Sequence, residues 1–419
     1  MVAPPVVLVT RRPWGVSLRP LEQVAVVEVW GGDGPMPADR VRASVTAVDG
    51  LLSMLSDPID ASLIDTAPRL RVISQVAVGL DNIDLAACTR RGIPVGYTPD
   101  VLTDTTADTA IGLLLAAGRR LVEGARMVTA GEWQRWAPDL LLGNDLHHTV
   151  LGVVGMGRIG RAVARRAIGF GMEIVYAGPN PRPEADREFG ARRLSLGDLL
   201  TIADHVVLTA PLTEATRHII DRDALRTMKP SAVLVNVARG GLVDQVALAE
   251  ALASGVIAAA GLDVTDPEPI DSGDPLLEMP NCVIVPHIGS ASVTTRARMS
   301  ELAVENLLTG LAGERMPACA NPEVYGSSPP PVSAEERIER ILDETKKAHA
   351  AAMSDAEDPE WALWYADHAL EALRSEMGGW LDRPRLVTML MEAARSHRLD
   401  APSEKWVSHY ARWMAASGP

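Results

Sequence analysis

The stretch Thr149-Val150-Leu151-Gly152-Val153-Val154-Gly155-Met156-Gly157-Arg158-Ile159-Gly160 decides how the chain is read. Its first half is a short apolar run, the pattern of a buried strand. The run ends in glycines spaced G-x-G-x-x-G, and Ala162, Val163, Ala164, Ala167 and Ile168 continue with a helical pattern. A strand before and a helix after are the context in which this spacing holds a dinucleotide. Gly155 permits the tight turn, Gly157 lets the backbone approach a pyrophosphate, and Gly160 lets the helix pack against the strand. The helix N-terminus then faces the phosphates with free N–H groups and the positive end of its dipole.

Downstream, strands are expected at Glu173–Ala177, His205–Thr209, Ala232–Val237, Ala258–Leu262 and Cys282–Val285, with helices between them. With Thr149–Val154 this makes six strands, enough for the doubly wound sheet of a Rossmann fold. Upstream, Val6–Val9, Val24–Val29, Leu51–Leu55 and Leu70–Ser74 read as strands, and Ala38–Val45 and Asp60–Ala67 as helices. That alternation predicts a second parallel sheet with helices on both faces, and it carries no phosphate motif. Leu102–Asp108 reads as a hinge that opens a long apolar helix, Thr109–Arg120. A helix from about Ser292 to Leu311 is spaced to return to the first domain.

The expected fold class is α/β. A flavodoxin-like substrate-binding domain spans 1–103 and 291–325, and a Rossmann dinucleotide-binding domain, 104–290, is inserted in it. Gly326–Pro331 opens a proline-rich linker, 326–332, before an all-helical domain at 333–419. There, Ser333-Ala334-Glu335-Glu336 is a capping box. Asp358-Pro359 opens a helix whose apolar face is Trp361, Trp364, Tyr365, Ala369, Leu370 and Leu373. Further helices are expected at Arg383–Arg398 and Ser403–Ala416. Trp361, Trp364, Trp380, Trp406 and Trp413 concentrate in this region and predict an aromatic core.

The formal charge of -14 over 419 residues, with no basic run, argues against a nucleic-acid partner. Val6–Val9 is too short for a secretory signal, and no apolar stretch reaches the length of a membrane span. Cys88, Cys282 and Cys319 are scattered and form no C-x-x-C, the usage of a reducing cytoplasm. His147-His148 have no companion ligands at metal spacing and read as loop residues, so no metal is expected.

Reduction of a 2-keto acid by a nicotinamide needs a cation for the carboxylate and carbonyl, an acid for the developing alkoxide, and a group that keeps the acid protonated. Arg239 follows the strand ending Asn236-Val237, where its planar fork faces the cofactor crevice. Glu268 stands between Pro267 and Pro269, which argue against a helix. His287 follows Val285-Pro286. A carboxylate paired with it would orient the ring and favour its protonated form. The turn Val78-Gly79-Leu80-Asp81-Asn82 could present backbone N–H groups to a carboxylate. On spacing alone it reads as a strand-to-helix turn capped by Asp81 or Asn82. A ribose-binding acid is expected about 20 residues past the glycine turn. The sequence there is Gly178-Pro179-Asn180-Pro181-Arg182, without a carboxylate. Asn180 and Arg182 can accept a 2′-phosphate, so NADPH is preferred to NADH.

Taken with Gly96–Ala107, Ala258–Val264 and Pro286-His287-Ile288-Gly289-Ser290, these motifs resemble the D-2-hydroxyacid dehydrogenase family over about residues 5–325, and within it the glyoxylate/hydroxypyruvate reductases. The resemblance implies that His287 is the general acid/base, Glu268 its partner and Arg239 the substrate-holding cation. It implies substrate contacts at the Val78 and Gly79 amides, Leu55 and Ser290. It implies cofactor contacts at Thr106, Arg158, Ile159, Pro211, Val237, Ala238, Asp263 and Gly289, with Asp263 on the nicotinamide amide. It also implies a homodimer in which the arm Trp133–Leu140 crosses to the other subunit. Leu140 stands where some relatives carry an aromatic. Other D-2-hydroxyacid dehydrogenases, such as a 2-ketogluconate reductase or a phosphoglycerate dehydrogenase, stay open, as does a non-catalytic NAD(P)H-sensing protein of the same fold.

Overall fold

Val-, Leu- and Ile-rich runs with few polar breaks make strands buried on both faces, and such strands assemble into parallel sheets. The first sheet takes β1 (Val6–Val9), β2 (Val26–Val29), β3 (Gly50–Ser53), β4 (Val72–Gln75) and β5 (Val95–Gly96) in the order β2-β1-β3-β4-β5. The second takes β6 (Val150–Val154), β7 (Glu173–Ala177), β8 (Arg192–Arg193), β9 (His205–Leu208), β10 (Val233–Asn236), β11 (Ala259–Leu262) and β12 (Cys282–Ile284) in the order β12-β11-β10-β9-β6-β7-β8. The structure, a computed structural model, describes residues 3–326, 334–352, 361–377, 381–400 and 405–416. They fall into two compact units, Met1–Tyr325 and Gly326–Pro419.

Apolar side chains cover both faces of each sheet. Leu51, Ile73 and Val95 pack on one face of the first, and Val7, Leu52 and Val72 on the other. The second sheet reverses its strand order between β6 and β9. A reversal of that kind leaves a crevice at the carboxyl ends of the strands. The helix Val293–Leu311 returns to β3, β4 and β5. Its buried Asn306 donates to the Tyr97 carbonyl at 3.0 Å and accepts from the Ala318 amide at 2.9 Å.

The six expected strands of the second sheet are present, and β8 is a seventh. Both β5 and β8 are two residues long, too short for a hydrophobic pattern. Contacts remote in sequence support them. The Val95 amide donates to Asn321 Oδ1 at 2.8 Å. Arg193 of β8 reaches back to the Gly178 and Pro179 carbonyls, each at 2.9 Å. The helix expected from Thr109 begins instead at Thr103 and ends at Gly118. The expected hinge is helical because Leu102, Thr106 and Ala107 are buried within it, and Asp104 and Asp108, one turn apart, both pair with Arg166 of the helix Arg158–Ile168, at 3.1 and 2.5 Å.

The second unit has helices at Ala334–Ala352, Trp361–Met377, Arg383–Asp400 and Trp406–Ala416. The linker Ser327–Pro331, Ser333 of the capping box, Asp358-Pro359, Trp380 and Ser403 lie outside the described residues. The expected aromatic side chains take part in the core, and aliphatic ones fill its centre. Leu342, Leu373, Leu386, Leu390, Ala411 and Met414 fill it with Tyr365 and Tyr410, while Trp361, Trp364, Trp406 and Trp413 pack around it partly exposed. Indoles are large, and their polar edge favours the margin of so small a core. Among the described residues no helix is long and apolar enough to cross a membrane.

Replacing Asn306 by alanine leaves the Tyr97 carbonyl and the Ala318 amide without their partner, at a cost of roughly 1–3 kcal/mol each. Urea denaturation of Asn306→Ala should show a lower midpoint with an unchanged slope.

Candidate functional site

Two loops meet at the strand-order reversal of the second sheet. Gly155 follows β6 with φ +100°, a left-handed conformation that side chains oppose, and a Cβ there would stand 2.6 Å from the Ala210 amide nitrogen after β9. Thr209 Oγ1 donates to the Gly155 carbonyl at 2.6 Å and pins the turn. At Gly157 a Cβ would meet nothing within 4 Å, and at Gly160 it would collide with the Gly155 carbonyl. The helix Arg158–Ile168 starts from Gly157 without a side-chain cap, so its first N–H groups are free. These features fit a pyrophosphate. Arg158 Nε pairs with Asp100 Oδ1 at 2.7 Å. In the loop after β7, Asn180 and Arg182 are exposed, and the Arg182 amide donates to the Tyr176 hydroxyl at 2.8 Å.

A cavity of about 480 Å³ opens between the carboxyl ends of the two sheets. The first sheet contributes Leu55, Val78 and Gly79, and the long helix contributes Thr106. Ile159, Pro211, Val237, Ala238 and Arg239 line the nucleotide-fold side. Asp263, His287, Gly289 and Ser290 close the wall. Glu268 lies behind His287, on a second, adjoining cavity. Gly155, Gly157, Arg158, Gly160, Asn180 and Arg182 stand apart from both linings, at the glycine turn and the loop after β7.

His287 Nδ1 and Glu268 Oε1 are 2.5 Å apart. His287 has φ +52°, costly for a residue with a Cβ and held only where the surroundings enforce it. Asp263 enforces it. Its main-chain carbonyl accepts the His287 N–H at 2.9 Å, and its carboxylate accepts the Ile288 and Gly289 N–H groups at 2.6 and 2.8 Å. Burial pushes the Asp263 carboxyl up, and those two N–H groups oppose the rise. Burial pushes Glu268 up as well, but the hydrogen bond and charge of His287, with Thr265 and Arg239 behind them, hold it below the ordinary carboxylate range.

Arg239 follows β10, where Asn236 braces the loop by accepting from the Ala238 N–H at 3.0 Å and donating to the Arg239 carbonyl at 2.8 Å. The Arg239 guanidinium donates through Nε to Asp81 at 2.8 Å and through Nη1 to the Ala238 carbonyl at 2.7 Å. Its Nη2 occupies the place where a side chain on Gly79 would stand. Among the described residues the Val78 and Gly79 amides donate no hydrogen bond. A free guanidinium edge beside two free amides is a seat for a carboxylate.

Neither Asp81 nor Asn82 caps the next helix. Asp84 does, accepting the Ala87 N–H at 2.8 Å. Asp81 is committed to Arg239, and Asn82 bridges the Asp57 carbonyl and Gln75 Oε1, each at 2.7 Å. The sequence reading thus missed Asp81 as the anchor of Arg239, because a carboxylate beside a turn looks like a cap. It also missed Arg296, which lines both cavities but falls on an unremarkable helix face. His147 and His148 are loop residues, with His147 facing Asp145 at 3.6 Å.

Residues 111–289 match the NAD binding domain of the D-isomer specific 2-hydroxyacid dehydrogenases. A glyoxylate reductase of Korarchaeum cryptofilum is 47% identical over 327 residues, covering 78% of this chain and 98% of the relative. The chain belongs to this family. It is an NAD(P)-dependent dehydrogenase. The dehydrogenase is also 48% identical over 294 residues to the glyoxylate reductase/hydroxypyruvate reductase of Homo sapiens, covering 70% of this chain and 90% of that one. Among solved structures it resembles a protein of Thermus thermophilus at 49% identity and a TM-score of 0.71, covering 75% of this chain and 99% of that one. It also resembles an NADPH-dependent glyoxylate/hydroxypyruvate reductase of Sinorhizobium meliloti, in complex with NADP and malonate, at 34% identity and a TM-score of 0.68, covering 76% and 98%.

Two outcomes follow from the geometry. Gly79→Ala forces Arg239 Nη2 out of its place, so a crystal structure of that variant should show the Arg239–Asp81 pair broken within an unchanged fold. Because Glu268 is held below the ordinary carboxylate range, its pair with His287 adds stability above that range and loses it as the pH falls through the lowered value. Glu268→Gln should therefore lower the melting temperature near neutral pH, with the difference from wild type vanishing in acid.

Proposed function

We propose that the dehydrogenase reduces glyoxylate and hydroxypyruvate to glycolate and D-glycerate with NADPH. The observation that carries this reading is the carboxylate seat, Arg239 Nη2 with the free Val78 and Gly79 amides, on one cavity with His287. The relatives named for glyoxylate and hydroxypyruvate reduction support the choice of acids.

The substrate carboxylate rests on the Val78 and Gly79 amides and Arg239. The keto oxygen then faces Arg239 and His287. Because Nδ1 of His287 is engaged with Glu268, Nε2 delivers the proton to the forming alkoxide. Glu268, held ionised, orients the ring and offsets its positive charge. When bound, a reduced nicotinamide would supply the hydride. Gly155, Gly157 and Gly160 with Arg158 would hold its pyrophosphate. Thr106, Ile159, Pro211, Val237, Ala238, Asp263 and Gly289 would line its reactive end, and Leu55 and Ser290 would bound the substrate. In the loop after β7 no carboxylate stands between 178 and 182, and Asn180 and Arg182 are free to meet a 2′-phosphate. In this reading 104–290 is the nucleotide domain, and 1–103 with 291–325 the substrate domain.

We also propose a homodimer. The helix Leu121–Thr129 has no buried residue, and Trp133, Trp136 and Leu142 beyond it are exposed, Trp136 by 76%. Large exposed apolar side chains gathered on one segment mark an interface, and the arm with Leu140 crosses to a second copy.

The test is the initial rate of reduced-nicotinamide consumption with each acid. Wild type should turn over both acids and prefer NADPH. His287→Ala should lose about 100-fold or more in kcat. Asn180→Asp should move the preference toward NADH by about tenfold, since a carboxylate repels the 2′-phosphate and accepts from a ribose hydroxyl. A wild-type preference for NADH would overturn the cofactor reading, and no turnover of either acid would overturn the substrate reading.

A further inference from the structure

The second cavity, about 610 Å³, adjoins the substrate cavity and shares Leu55, Val76, Asp263, His287 and Arg296 with it. Its outer wall is Arg11, Arg12 and Trp14, from the loop that follows β1. Three arginines therefore line one cavity of a chain whose formal net charge is -14. Among the described residues, neither the Arg11 nor the Arg12 side chain makes an ion pair or a hydrogen bond, and both are exposed. Arg296 is half-buried, with one weak hydrogen bond to the His287 carbonyl at 3.4 Å and no carboxylate within ion-pair distance among the described residues. Burial pushes Arg296 below the ordinary guanidinium range, against the pull of the Asp263 charge.

The two carboxylates on this wall do not neutralise the three cations. Glu268 is engaged with His287, and Asp263 with the Ile288 and Gly289 amides. A half-buried guanidinium without a counter-ion is costly unless an anion visits it. Its fork suits an oxyanion, and the exposed Arg11 and Arg12 add attraction at the mouth. Leu55 and Arg296 stand at the junction of the two cavities, where the substrate chain beyond the keto carbon leaves the seat formed by Gly79 and Arg239.

We propose that this cavity is a subsite for a second oxyanion on the substrate, a terminal carboxylate or phosphate, with Arg296 at its inner end and Arg11 and Arg12 at its mouth. The enzyme then reduces 2-keto acids that carry a second oxyanion as well as short ones. The inference rests on the proposed placing of the keto group at His287. The chemistry is unchanged: the keto carbon takes the hydride from the reduced nicotinamide, the oxygen takes a proton from His287, and the terminal oxyanion takes no part.

The experiment compares kcat/KM of the full chain for glyoxylate, 2-ketopentanoate, 2-ketoglutarate and 3-phosphohydroxypyruvate, in wild type and in the double variant Arg11→Gln/Arg12→Gln. Wild type should favour at least one of 2-ketoglutarate and 3-phosphohydroxypyruvate over 2-ketopentanoate by about tenfold or more. In the double variant that ratio should fall at least about fivefold, through KM and not kcat. A preference confined to the phosphate or to the carboxylate supports the subsite and identifies its oxyanion. Turnover of glyoxylate with no preference for 2-ketoglutarate or 3-phosphohydroxypyruvate, or with a preference that the double variant leaves intact, overturns the subsite alone. Failure to reduce any of the four acids overturns the proposed function and the subsite with it.

Discussion

The Asp263 carboxylate, sunk at the carboxyl end of β11, is the contact on which the site depends. It accepts two consecutive amides, Ile288 and Gly289, while its own main-chain carbonyl takes a third, that of His287. A left-handed residue with a Cβ costs roughly 1–3 kcal/mol, and hydrogen bonds to an ionised acceptor are strong enough to offset that. His287 is therefore held in the conformation that turns its Nδ1 to Glu268. Without that clamp the imidazole would lose its partner and the cavity one of its walls. Gly289 belongs to the same device, because a Cβ there would stand 2.6 Å from Asp263 Oδ2.

The opposite wall is built on similar terms. Arg239 is anchored by Asp81 across the gap between the two sheets, so one ion pair ties the loop after β10 to the loop after β4. The residues of the proposed carboxylate seat thus come from both folds, and they meet only where the two sheets face each other. The second cavity continues the same division, with Arg11 and Arg12 from the first fold and Arg296 from the helix that returns to it.

The framework was legible wherever the pattern was local. Three glycines between an apolar run and a helix placed the turn at Gly155, and the positions of Arg239 and His287 at strand ends followed from the same alternation. What escaped was set by contacts remote in sequence. β5 and β8 have too few residues for a pattern and are supported by Asn321 and by the reach of Arg193. Thr103–Asp108 looked like a hinge because it is polar, and it is helical with Thr106 and Ala107 buried and Arg166 pairing with two of its carboxylates. Asp81 looked like a cap because its partner lies far along the chain at Arg239. The tryptophans of the second unit pack on the buried Tyr365 and Tyr410 but stay at the margin, and their number alone says nothing of which edge faces water.

The most direct test of the account is a crystal structure of the full chain with NADP and glycolate. The glycolate carboxylate should lie within hydrogen-bond distance of the Val78 and Gly79 amides and Arg239 Nη2, with its hydroxyl on His287 Nε2. A carboxylate bound away from the Gly79 turn, or a hydroxyl with no contact to His287, would contradict it.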